Sequence, residues 1–110
     1  MHVIQDQARH DQLERWLADQ IVGLVRSRLA SAGVNGEALA GLTREISVGV
    51  ADLWDGCHGL SLNGDFLSPF LFFASDNDEE EIVVSSYSHT GSFLHEHVVV
   101  ATGRSATTQA

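Results

Sequence analysis

Leu13, Trp16, Leu17, Gln20, Ile21, Leu24, Val25 and Leu29 recur at three- and four-residue steps. That spacing lays them along one face of a helix, with Glu14, Arg15, Asp19, Arg26 and Ser27 on the other. Asp6 or Asp11 suits the start, because a carboxylate accepts from amides that the first turn leaves unpaired, and Gly33 suits the stop. The pattern predicts a helix over 7–31. A second set, Leu39, Leu42, Ile46, Val50, Leu53 and Trp54, has the same period. Gly41 and Gly49 weaken it by about 1 kcal/mol each relative to alanine, and Gly41 ahead of Thr43 is a place for a break. Gly56 and Gly59 end the helical region. Asn35-Gly36 is a short link, so the two helices are expected to form an antiparallel hairpin, with Trp16 and Trp54 in its core.

Beyond residue 60 the pattern changes. Asn63-Gly64 sits between Leu60-Ser61-Leu62 and Asp65-Phe66-Leu67, a strong two-residue hairpin signal because both turn positions need positive φ. Pro69 marks an edge or bulge. Phe70 to Ala74 reads as a strand apolar on both faces, Glu81 to Ser88 as the next, and Phe93 to Ala101 as the last, with His89-Thr90-Gly91-Ser92 as a tight turn. The fold class is therefore α+β: an N-terminal two-helix hairpin packed on one face of a roughly four-stranded antiparallel sheet. Residues 1–101 are expected to form one domain, and 102–110, small and polar, a disordered tail.

Charge divides the chain. Residues 1–45 hold six acids against five arginines, a net −1, whereas residues 46–110 hold nine acids against Arg104 alone, a net −8. A phosphate backbone needs a basic footprint, so nucleic acid is not an expected partner; the acid excess reads first as a solubilising surface and second as a match for a basic protein. No apolar run reaches the ~18 residues of a membrane span, and the N-terminus lacks a basic region followed by an apolar stretch. With a single cysteine, Cys57, these features favour a reducing cytoplasm. The complete lack of lysine, with many Ala, Gly and Val, suggests GC-rich, bacterial coding.

The segment richest in chemistry is Phe93-Leu94-His95-Glu96-His97-Val98. On a strand His95 and His97 share a face, and two imidazoles so placed can hold one divalent metal such as zinc. The pairing implied by a Thr90-Gly91 turn brings no third ligand beside them; His58, His89 or Glu96 would have to complete the set. The acidic run Asp76, Asp78, Glu79, Glu80 and Glu81 lacks the glycine and distal glutamate of a calcium loop and reads as a solvated hairpin loop or a dock for a basic partner. Cys57-His58 are sequence neighbours, which seldom meet in the geometry of a nucleophile and its base. No nucleophile elbow, phosphate-binding glycine loop or C-x-x-C occurs.

Strands apolar on both faces pose a covering problem. Two helices cover one side of a sheet; the other, with Phe70, Phe72, Phe93, His95, His97 and Val99, needs a second chain or another partner. The expected function is a small acidic protein-binding domain of the adaptor, chaperone, inhibitor or immunity kind, without catalysis or cofactor and homodimeric through the sheet. The alternatives are a metal-binding protein or metal-dependent enzyme built on His95 and His97, and a ligand pocket lined by Trp54, Phe70, Phe72 and Tyr87.

Overall fold

The computed structural model describes residues 2–55, 61–66, 72–74, 81–84 and 94–107. The chain opens with a strand that the hydrophobic pattern did not announce, β1 (His2–Gln5). Helix α1 (Gln7–Ser31) follows after a single residue. Asp6 is its cap, extended in backbone, its carboxylate accepting from the Arg9 amide at 3.0 Å. At the far end the Gly33 amide bonds to Ala30 O and the Val34 amide to Leu29 O, each at 3.0 Å. This double closure requires a left-handed residue, and Gly33 has φ +94°. Helix α2 (Gly36–Trp54) runs unbroken through Gly41 and Thr43.

Strands β2 (Ser61–Leu62) and β3 (Asp65–Phe66) pair antiparallel across Asn63-Gly64, whose φ values of 51° and 86° are those expected of the turn. The main sheet is small and mixed, in contrast to the four-stranded antiparallel expectation. Strand β5 (Glu81–Val84) lies at its centre, parallel to β1 and antiparallel to β4 (Phe73–Ala74). The Asp6 amide extends the parallel ladder to Val84 O, so the sheet sets where α1 begins.

The largest departure is the last element. Phe93–Ala101 was expected to be a strand and its successor a disordered tail, yet Leu94–Thr107 forms a helix, α3. The valine run favours a strand locally, but Leu94, Val98 and Ala101 also fit one helical stripe, and tertiary packing decides between the two readings. That stripe meets Ala18 and Val22 of α1 and Ala51 of α2, with Leu17, Ile21 and Val48 around them. Three alanines in this core leave room for three helices to approach closely. Arg104 of α3 reaches Asp19 of α1 at 2.6 Å across the surface.

Both long helices are also rotated from expectation. Helix α1 buries His10, Glu14, Ala18 and Val22 and leaves Trp16 and Leu24 exposed. Helix α2 buries Leu39, Thr43, Ser47 and Ala51 and leaves Trp54 exposed. The tryptophans are thus outside the core. The small and polar side chains face inward because they fit the narrow space beside α3.

The helical reading of α3 separates Val98 from Val100, which a strand would place on one face. Val98→Ala should cost about 1–3 kcal/mol by lost burial and a small cavity. Val100→Ala should stay within about 0.5 kcal/mol, as at an ordinary surface position. Equal losses in urea titrations of the two variants would contradict the helix.

Candidate functional site

Asp55 ends α2 with its side chain 1% exposed. One carboxylate oxygen, Oδ2, accepts from the His95 backbone amide at 2.7 Å and also meets His95 Nδ1. The first contact serves an amide in the opening turn of α3, where a negative group also complements the helix dipole. The second favours the imidazole tautomer with its proton on Nδ1 and fixes the ring plane. Asp55 Oδ1 is buried with no hydrogen-bond partner among the described residues. The pair therefore combines a joint between two helices with an oriented, partly exposed imidazole.

A second polar group lies at the start of α1. His10 and Glu14, one turn apart, are both 0% exposed, with Nδ1 and Oε1 2.8 Å from each other. The β1 ladder and the Asp6 cap position this turn, and the Phe73 ring of β4 closes over His10 edge-on, centroids 5.5 Å apart. Asp11 sits beside them at the surface, and single ligand atoms of His10, Asp11 and Glu14 all fall within 4.8 Å of one another. Gln7 Nε2 donates to Asp11 Oδ1 at 2.9 Å. His97 of α3 brings Nε2 to 4.0 Å from the same oxygen.

The third feature is the outward side of α2. Leu42, Ile46, Val50, Leu53 and Trp54 are between 37% and 50% exposed. The inward Thr43 Oγ1 and Ser47 Oγ have no hydrogen-bond partner among the described residues.

The expected site residues disperse. On α3, His95 and His97 are separated by about 200° of helical turn, so they do not share a face. His95 faces Asp55, and His97 faces Asp11. Val99 lies on the same helix, partly buried, and Phe72 is exposed ahead of β4. Glu81 opens β5. Phe70, Phe93, Asp76, Asp78, Glu79, Glu80, Cys57, His58, Tyr87 and His89 lie outside the described residues. Sequence reasoning missed His10 and Glu14, although a histidine and a glutamate four residues apart is a spacing that places two ligands on one helical face. It missed Asp55 as a partner of His95 because the two are forty residues apart.

No family model, curated protein or solved structure matches this chain.

Breaking a buried polar pair leaves its survivor without compensation. Glu14→Ala should destabilise the domain by about 3–5 kcal/mol, whereas His10→Leu with Glu14→Met, which replaces both partners by apolar side chains, should recover most of the loss. Thermal and urea unfolding of the two variants check this; equal losses would show that the pair contributes through shape alone. Asp55→Ala should cost about 1–3 kcal/mol through the α3 amide it leaves unpaired.

Proposed function

We propose that this domain is a protein-binding module that works as a homodimer, with the outward side of α2 as the contact surface. The observation that carries the reading is the orientation of α2. A helix of a self-sufficient globular domain buries its apolar stripe against the core, yet α2 turns Thr43 and Ser47 inward and Leu42, Ile46, Val50 and Leu53 outward. Each unsatisfied buried hydroxyl costs on the order of 1–3 kcal/mol. Cover over the outward stripe offsets that cost.

The exposed parts of the five side chains amount to about 400 Å², the size of patch that often marks a contact site. At the roughly 65% apolar content of homodimer interfaces, such a patch belongs to about 600 Å² per partner. The total, about 1,200 Å², is at the lower edge of a stable, specific interface.

The stripe also suits its own copy. Leu42, Ile46 and Val50 form a ridge in steps of four, the commonest ridge in helix packing. A two-fold axis at Ile46 sets Leu42 of one chain beside Val50 of the other. Nothing within 4 Å occupies the place of a Cβ at Gly49, which flanks Ile46 and Leu53, so a notch is open to a partner's side chain. The sequence sets an expected dimer on the sheet; among the described residues the exposed apolar stripe of α2 supports a helix-mediated contact instead. The acidic half of the chain, net −8, then serves to engage a basic protein.

Sedimentation velocity at tens of micromolar should give a dimer. Ile46→Asp should give a monomer of unchanged helicity, because dimerisation would bury the new charge, while Val100→Asp on α3 should leave the dimer intact. A wild-type monomer, or a dimer indifferent to Ile46→Asp, overturns the reading.

A further inference from the structure

We infer that His10, Asp11 and Glu14, joined by His97, bind a divalent transition-metal ion of the zinc class. The inference is independent of the α2 surface and differs from the His95–His97 pair, whose members lie on different sides of α3.

Convergence is the first argument. Three donors from one and a half turns of α1 already have ligand atoms within 4.8 Å of one another. His10 and Glu14 are spaced four apart, so both project from one side of the helix, and they approach to 2.8 Å. A second element adds a fourth donor, His97 Nε2, at 4.0 Å from Asp11 Oδ1. Two imidazoles and two carboxylates are borderline ligands suited to zinc, whereas calcium and magnesium prefer oxygen alone.

Burial is the second argument. The inner donors, His10 and Glu14, are fully buried on α1, and the Phe73 ring lies edge-on to His10. The outer donors, Asp11 and His97, have side chains 46% and 26% exposed and so provide both an entry path and freedom to rotate. Ligands around one tetrahedral zinc stand about 3.3–3.6 Å apart, given bonds of about 2.0–2.2 Å. The α1 donor atoms lie within 4.8 Å of one another and His97 Nε2 lies 4.0 Å from Asp11 Oδ1, so the partly exposed Asp11 and His97 side chains rotate inward to reach that spacing.

Charge and support agree. The neutral imidazoles and two carboxylates balance a dication, which removes the cost of holding a carboxylate in a closed apolar site. Gln7 Nε2 bonds to Asp11 Oδ1 at 2.9 Å, the kind of outer contact that orients a ligating carboxylate. A bound ion would join the start of α1 to the first turn of α3, so its binding energy would add to the stability of the fold.

The test uses the full chain without a histidine tag, stripped with chelator and titrated with zinc by calorimetry, with thermal unfolding followed in parallel. The expected result is one zinc per chain, a raised Tm, and weaker binding as pH falls and protons compete for the ligands. Asp11→Asn and His97→Ala change only partly exposed side chains; each should leave the metal-free Tm nearly unchanged and weaken zinc binding about tenfold or more. Ile46→Asp should bind zinc as wild type does. Absence of saturable binding overturns the inference. So does a doubly substituted Asp11→Asn, His97→Ala chain that binds as tightly as wild type, because the metal then sits on other histidines.

Discussion

Asp55 closes α2 and opens α3. The chain between its carboxylate and the His95 amide spans forty residues, and that contact holds the first turn of a helix in a valine-rich segment. Helix initiation is costly because several backbone dihedrals are ordered for the first bond gained. A buried carboxylate at the starting amide lowers that cost where it is greatest. Once the first turn is held, Leu94, Val98 and Ala101 come into line over Ala18, Val22 and Ala51, and the third helix completes the core. The rotations of α1 and α2, and hence every polar group turned inward, follow from making room for it.

Those inward polar groups give the domain its character. A larger core would place leucines at the positions of Thr43 and Ser47 and gain more from burial. Here the helices approach over small side chains, and the larger apolar residues of α2 are left on the outside. The narrow interior and the exposed apolar stripe of α2 thus have one origin: small side chains turned inward leave the larger ones outside. The His10–Glu14 pair extends the same logic to α1, where a polar pair occupies space beneath Phe73 that an aliphatic pair would fill in a conventional core.

Much of the local structure was legible. The limits of α1, an aspartate cap at its start, its Gly33 stop, the presence of α2 and the Asn63-Gly64 turn all depend on signals within a few residues of one another, whereas the break offered at Gly41–Thr43 does not occur. The rotations were not legible, because periodicity shows that a helix has an apolar side without showing which neighbour claims which side. Leu13 and Trp16 looked like core for that reason, and Glu14 looked like surface. Helix α3 was missed because Val98-Val99-Val100 has β-branched side chains and its cap comes from outside the segment. Strand β1 was missed because its partner is distant in sequence and four residues show no decisive period. Of the polar cluster, His97 was singled out for its chemistry but set on the wrong element; His10 and Glu14 needed the sheet above them before they became a pair.

The parallel ladder between β1 and β5 has a consequence for how the chain acquires its shape during synthesis. His2 pairs with Glu81 and Gln5 with Val84, so β1 leaves the ribosome well before the strand it pairs with. Helices α1 and α2 can wind meanwhile from local bonds, but the sheet that fixes the first turn of α1 closes only after residue 84 has emerged. Throughout that interval β1 is an unpaired edge, open to any other extended segment. Val3 is exposed even in the finished fold, while Asp6 sits at the strand's end, a charge of the kind that discourages such pairing. Strand β1 is thus made long before the strand that secures it, and until β5 arrives its backbone groups have no ladder to join.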